Sequence, residues 1–431
     1  MRVLFVTVPT RAHAYAQVPV AWALRAAGHE VVVATNPELM DDVADTGLTA
    51  VPVGPTLNQA ELVEENRQHE EAMADLRAQM PDPTVLMRVD DIPPADLTED
   101  YLEGHFTLMT SLVFQTYSPP AMVDDLLRFA RSWRPDLVVW DTLVFAAPVA
   151  ATVVGAAHAR LLYGLDLVGQ LRKAHLAALA RRPPELRDDP LAEWLGWTLE
   201  RYGSRLTEDV VLGQWTIDPV PASLHTPVGG VRVPVRYVPY NGPAEVPRWV
   251  GQRPTRPRVC LTLGLSFREV MGGDRASVGT LLEAVADLDV EVIATLDAKQ
   301  LAAAGTLPDN VRTVAFVPLD SLLPTCEAIV HQGGIGQSQT AMAHGVPQLV
   351  LPNGEWDTVT RARRLAEADA AIVLDAESVT ADDLRRGLLR LLDDPGHRHA
   401  AARLRTEMHT SPAPGDVVPT LEALTRRHRR R

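Results

Sequence analysis

The segment His331-Gln332-Gly333-Gly334-Ile335-Gly336-Gln337-Ser338 sets a histidine, three glycines and two amides directly after an apolar run at residues 328–330. Helical spacing follows over residues 339–344. A glycine-rich turn between strand and helix presents free backbone N–H groups at the positive end of a helix dipole, and both features hold phosphate. His331 is expected to add a donor to a phosphate oxygen. A tight structural turn is the plainer alternative. A second turn of this kind, Leu263-Gly264-Leu265-Ser266, ends the apolar run that begins at Val259.

The first apolar run, residues 3–8, does not end in G-x-G-x-x-G. It ends in Thr10-Arg11-Ala12-His13-Ala14-Tyr15. A dinucleotide-dependent oxidoreductase would carry glycines there, so that class is disfavoured. A helix N-terminus disfavours a charged imidazole, and a neutral ring is what a general base needs. Asp141 ends another buried run, residues 136–141, so both groups could meet at one sheet edge. A carboxylate on Nδ1–H would orient the ring and stabilise its protonated form. A purely structural histidine is the alternative.

A third cluster, Asn353-Gly354-Glu355-Trp356-Asp357-Thr358, follows the apolar run 348–351. Its carboxylate, amide and aromatic groups suit a hydroxyl-rich ring. Equally, Asp357 could serve as N-cap of a helix over residues 359–366. Asp287-Leu288-Asp289 reads as a helix terminus or turn, and no metal site is expected. A diphosphate would then be held by backbone N–H groups and histidine rather than by a divalent ion.

These groups need strands to carry them. Residues 3–8, a helix over 15–27 stopped by Gly28, and a strand at 30–34 form a βαβ unit, which implies a parallel sheet. Residues 234–257 hold a dense set of prolines and glycines and read as a linker. Strands then recur at 259–263, 290–295, 311–317, 328–331, 348–351 and 371–374, with helical patterns between them, including 277–288. The class is α/β with two doubly wound domains: 1–233, then the linker 234–257, then 258–405. Residues 406–431 form a C-terminal helix or tail that could pack back on the first domain. In open parallel sheets, ligands bind beyond the carboxyl ends of the strands, where all three clusters fall.

The 431 residues suffice for two or three domains at about 150 residues each. A net charge of −14 argues against a nucleic-acid partner. The basic run Arg426-Arg427-His428-Arg429-Arg430-Arg431 reads as a solvated tail. Residues 58–117 are acidic and read as irregular, a cover for a site, a partner surface or plain solvated surface. The stripe Leu191, Trp194, Leu195, Thr198, Leu199 and Tyr202 has helical spacing and is expected in the core. Residues 143–157 are the most apolar stretch. They are too short to span a bilayer and read as a buried helix. The first apolar run meets Pro9 too soon for a signal segment. Cys260 and Cys326 have neither metal-ligand spacing nor a disulfide pattern. Core thiols in a reducing cytoplasm are expected.

Several stretches together resemble a known family. They are Val18-Pro19-Val20-Ala21-Trp22-Ala23-Leu24-Arg25-Ala26-Ala27-Gly28-His29-Glu30-Val31, Gly213-Gln214-Trp215-Thr216-Ile217-Asp218-Pro219, Arg236-Tyr237-Val238-Pro239-Tyr240-Asn241-Gly242-Pro243 and Pro308-Asp309-Asn310-Val311-Arg312-Thr313-Val314. Residues 331–348 and Trp356-Asp357-Thr358 belong to the same set. The chain resembles GT-B glycosyltransferases of the UDP-glucuronosyltransferase-like superfamily. More narrowly, it is similar to the activator-dependent actinobacterial transferases of antibiotic deoxysugars, the group of the erythromycin desosaminyltransferase.

The resemblance implies two Rossmann-like domains facing across a cleft, the first binding acceptor and the second the nucleotide sugar. It implies an inverting transfer from a TDP-deoxysugar to a hydroxyl of a macrolide-like polyketide; no cofactor or metal is expected. His13 falls at the family's base position and Asp141 at its acidic partner. Gly264, Ser266, Gly333, Gly334, Gly336, Gln337 and Ser338 fall at the diphosphate. Phe316 and Val317 match the stretch that meets the nucleobase, and Trp356 and Asp357 fall near the sugar. An auxiliary activator related to haem monooxygenases is an implied partner. Two departures stand out: the usual double histidine is His331-Gln332, and Gln337 replaces threonine or serine. A nucleotide-sugar epimerase and a catalytically weak partner-binding protein are the alternatives.

Overall fold

The computed structural model describes residues 1–57, 89–90, 92–93, 96–264, 277–354 and 356–430. Its contacts divide the chain into two units. The first comprises Met1–Val220, His225–Val235 and Pro412–Arg431, and the second Pro221–Leu224 and Arg236–Ser411.

Unit 1 holds seven strands: β1 (Arg2–Val6), β2 (Glu30–Thr35), β3 (Thr49–Pro52), β4 (Leu137–Asp141), β5 (Ala157–Leu161), β6 (Trp215–Asp218) and β7 (Arg232–Pro234). Their order is β3-β2-β1-β4-β5-β6-β7, and every pairing is parallel. The strands are apolar because helices cover both faces of such a sheet. Five of its helices matter here: α1 (Arg11–Ala26), α2 (Glu99–Leu108), α3 (Ala146–Val154), α4 (Pro190–Glu200) and, at the far end of the chain, a helix over Val418–His428.

Unit 2 holds β8 (Arg258–Thr262), β9 (Glu291–Thr295), β10 (Val311–Val314), β11 (Ala328–His331), β12 (Gln348–Val350) and β13 (Ala371–Val373). The order is β10-β9-β8-β11-β12-β13, again all parallel. Its helices include α5 (Val278–Val285), α6 (Ile335–His344) and α7 (Thr358–Glu367), and the Val418–His428 helix of unit 1 is α8. Both sheets reverse direction of growth after their third strand in space, between β1 and β4 and between β8 and β11. Those reversals are where open α/β sheets bind ligands.

Local chemistry explains the helix ends. Asp189 accepts from the Ala192 N–H and Pro190 opens α4, whose Leu191, Leu195 and Leu199 are fully buried. Ser277 accepts from Thr280 N–H to start α5. Gly155 ends α3 at φ +76°, and Asp287 turns the chain after α5 at φ +61°.

Three expectations need correction. Residues 99–117 are helical, not irregular: α2 runs on into a wide turn at Met109–Phe114. Phe106 and Phe114 are buried there, which gives the segment a core face despite its acidic neighbours. Of the rest of that segment, residues 58–88, 91, 94 and 95 lie outside the described residues. The basic C-terminus is not a free tail. Arg426, Arg427 and His428 close α8, where cations complement the helix dipole. Arg429 donates to Asp136, and the Arg430 N–H bonds the Gly155 carbonyl at 2.9 Å. Finally, α6 starts at Ile335 rather than Gln339. Glycine adopts helical and non-helical backbone alike, so a glycine-rich run does not mark its own helix start.

Candidate active site

In unit 1 the chain leaves β1, takes an extended conformation at Thr10 and enters α1. His13 thus occupies the first helical turn. The register sets Val6 beside Trp140, so β4 ends in Asp141 next to the loop after β1. His13 Nδ1 and Asp141 Oδ2 are 2.6 Å apart. Asp141 Oδ1 accepts the Leu143 N–H at 3.0 Å. The Asp141 side chain is 2% exposed and the His13 side chain 17%.

A carboxylate can only accept, so Nδ1 carries a proton, and in the neutral form of the ring Nε2 is the acceptor. That is the tautomer a general base requires. The Tyr163 ring lies 4.1 Å from the His13 ring, centroid to centroid, tilted by 49°. Burial first, and the Asp141 carboxylate second, raise the Tyr117 phenol above its ordinary range, so it stays protonated at neutral pH. Tyr163 and Tyr117 reach this place from the ends of β5 and of the helical stretch before residue 118. No sequence spacing connects them to His13.

In unit 2, Thr262 lies beside His331 in the register. The turns after β8 and β11 are therefore neighbours. Gly264 has φ +80° and Gly333 φ +84°, conformations that L side chains rarely adopt. Gly334 caps α6, and the first amides of that helix, through Gln337, have no acceptor within it. The Ser338 N–H is the first to bond inside the helix, to the Gly334 carbonyl at 3.0 Å. Its hydroxyl is fully buried and, among the described residues, unpartnered.

His331, the expected phosphate donor, has both ring nitrogens engaged within the fold. The ring is fully buried. Its Nε2 pairs with Gln348 Oε1 at 2.9 Å, and its Nδ1 accepts the Gly333 N–H at 3.0 Å. Burial, with the Arg361 charge adding to it, holds the ring down at about 4. It is a neutral structural group that shapes the turn.

The two departures in the motif have a physical role. Gln332 Nε2 donates to the Leu263 carbonyl, and Gln337 Nε2 to the Thr262 carbonyl and hydroxyl, each at 3.3 Å. Both amides tie the β8 turn to the β11 turn. A Cβ on Gly334 would lie 2.5 Å from Gln337 Oε1, and one on Gly264 would lie 3.0 Å from Gln337 Nε2. The glycines make room for the amide. Ser266 lies outside the described residues. Phe316 is about half exposed, beyond the end of β10, while Val317 is buried in the core.

Trp356 holds φ +53°, a rare conformation for a bulky residue. Asp357 stands at the N-cap of α7 but its side chain caps nothing. Instead both carboxylate oxygens pair with Arg361 Nη1, at 2.6 and 2.7 Å, and Arg361 Nη2 donates to the Gly333 carbonyl. Asp357 thus pairs with Arg361 and is not the side-chain cap that was the alternative for it. Arg361 went unread, although an Asp followed four residues later by Arg is an ordinary helical ion-pair spacing.

Two family models cover most of the chain: the N-terminal domain of erythromycin biosynthesis protein CIII-like proteins over residues 22–264, and their C-terminal domain over 279–424. The aclacinomycin-T 2-deoxy-L-fucose transferase of Streptomyces galilaeus is 53% identical, over 100% of this chain and 97% of its own. The 3-alpha-mycarosylerythronolide B desosaminyl transferase of Saccharopolyspora erythraea is 47% identical, over 98% of each. Among solved structures, the glycosyltransferase VinC in complex with dTDP superposes with a TM-score of 0.88 at 40% identity, covering 99% of this chain and 100% of that one. Both curated relatives are named as transferases, which favours transfer over epimerisation or a non-catalytic role. With two parallel doubly wound sheets of the GT-B type and this likeness along its whole length, the chain belongs to the erythromycin biosynthesis protein CIII-like family and is a glycosyltransferase.

Proposed function

We propose that the protein moves a deoxysugar from a TDP-sugar to a hydroxyl of a polyketide aglycone, with inversion at the anomeric carbon. His13 Nε2 takes the acceptor proton as the acceptor oxygen attacks that carbon. The bond from the carbon to the diphosphate oxygen breaks, and TDP leaves with its negative charge. Asp141 steadies the protonated ring. The turn after β11 and the first amides of α6 meet the charge developing on the leaving diphosphate. One observation carries this reading: the 2.6 Å contact of His13 with a buried carboxylate where the β1–β2 and β4–β5 halves of the sheet diverge. The relatives' names support the sugar and acceptor classes.

Binding without metal is part of the proposal, since backbone amides and helix dipole already favour an anion. So are a cytoplasmic setting, supported by two cysteines outside any disulfide, and an auxiliary activator, supported by family resemblance. No helix among the described residues is long and apolar enough to cross a membrane. The test is transfer of sugar from a TDP-deoxysugar to a polyketide aglycone, with and without chelator and a candidate auxiliary protein. His13→Ala should lower kcat at least about 10²-fold, the low end for a general base, with TDP binding unchanged. Near-normal turnover in the folded variant refutes the assignment.

A further inference from the structure

Two side chains set the backbone of the glycine turn. The Gly333 N–H is consumed by His331 Nδ1 at 3.0 Å. The Gly333 carbonyl accepts from Arg361 Nη2. In a trans peptide the carbonyl and the next N–H point in opposite directions. The Gly334 N–H is therefore aimed away from the guanidinium. Arg361 cannot swing freely, because its Nη1 bonds both oxygens of Asp357, and the two side chains are only 4% and 2% exposed. The paired charges cancel, so what the pair supplies to the turn is orientation.

We propose that Arg361 is a positioning residue for the donor diphosphate. It fixes the Gly333–Gly334 peptide so that the Gly334 N–H joins the first amides of α6 as an anion donor. Asp357 acts through Arg361 and not on the sugar. Were this peptide free to rotate, the Gly333 carbonyl could turn outward and set an acceptor against the phosphate. The role rests on the reading of this turn as the diphosphate site.

The experiment is calorimetric titration of TDP into the wild-type protein and into Arg361→Lys, Arg361→Met, Asp357→Asn and the double variant Asp357→Leu/Arg361→Met. Steady-state KM values for donor and acceptor accompany it. Arg361→Met and Asp357→Asn leave a buried charge unpaired and could unfold, whereas an apolar pair in place of a buried ion pair is commonly tolerated. The double variant therefore carries the test. It should bind TDP about tenfold more weakly, the worth of one misdirected hydrogen bond to a charged group. Donor KM should rise in parallel and acceptor KM should not move. Arg361→Lys should recover part of the affinity.

A folded double variant that binds TDP within about twofold of wild type overturns the role. TDP lacks the transferred sugar, so an Asp357→Asn variant that raises donor KM while holding TDP normally overturns the claim for Asp357. Failure of the wild type itself to bind TDP refutes instead the underlying reading of the turn.

Discussion

Replacing Asp141 by asparagine isolates the charge of the base's partner while keeping its shape. The asparagine oxygen can still accept the Leu143 N–H that Asp141 Oδ1 accepts now at 3.0 Å. The contact with His13 changes more. An amide NH2 facing Nδ1 would favour the tautomer with the proton on Nε2, which cannot take a proton from the acceptor. Charge is lost as well. With ring and carboxylate centres about 4 Å apart and an effective dielectric constant of about 20, the pair is worth about 4 kcal/mol. The 17% exposure of His13 lowers this to about 3 kcal/mol. That corresponds to about 10²-fold in rate, before the tautomer effect adds to it.

The assay is single-turnover and steady-state transfer at saturating donor, for wild type, Asp141→Asn, His13→Ala and the double variant. Asp141→Asn should lose at least about 10²-fold in kcat, with TDP affinity unchanged because the turn proposed to hold the nucleotide belongs to the other unit. The double variant should be no slower than His13→Ala, since the carboxylate acts only through the ring. Turnover of Asp141→Asn within about threefold of wild type, or losses that simply multiply in the double variant, would refute the reasoning.

Other outcomes follow from the same geometry. Burial lowers His331 to about 4 and His158 to about 3, against 6.5 as the ordinary value. Between pH 6.5 and about 4 the unfolded chain binds more protons than the folded one, so stability falls as pH drops, by about 1.4 kcal/mol per pH unit for each ring. Urea unfolding at pH 7 and pH 5 should show this, and a slope unchanged by His158→Gln would contradict it. Gly334→Ala should push the Gln337 amide off Thr262 and lower stability by about 1 kcal/mol. The variant Gly334→Ala/Gln337→Ala should be no less stable than Gln337→Ala alone, as read by denaturant midpoint. Removing residues 418–431 strips unit 1 of the buried Val418 and Leu421, at about 1.5–3 kcal/mol each. A truncated chain that melts as the full chain does would show that α8 contributes no packing.

Much of the fold is legible in the sequence because apolar runs of strand length mark buried parallel strands. Residues 3–8, 259–263 and 328–331 correspond to β1, β8 and β11 within a residue or two. Strand β5 is harder to read. Ala157-His158-Ala159-Arg160-Leu161 carries two polar residues and yet is wholly buried. Arg160 is tolerated there because Asp166, from beyond the strand, meets its guanidinium at 3.0 and 2.7 Å and Thr216 on β6 accepts from it at 3.1 Å. A partner supplied by tertiary folding has no signature in the local pattern.

The site divides the same way. Residue order alone shows which groups end the strands: His13 after β1, Asp141 on β4, and the glycines after β8 and β11. Residue type and strand periodicity are local properties, and they place chemistry at a carboxyl edge without any knowledge of neighbours. Only the tertiary structure decided the pairings. Residues 13 and 141 meet because β1 and β4 lie side by side, across 128 positions of chain. His331, which the motif presented as a phosphate donor, turned out to have both ring nitrogens bound within the fold. Arg361, which no motif singled out, holds the Gly333 carbonyl. Buried polar groups must find partners, and which partner each finds is set by strand order and helix packing over long sequence distances.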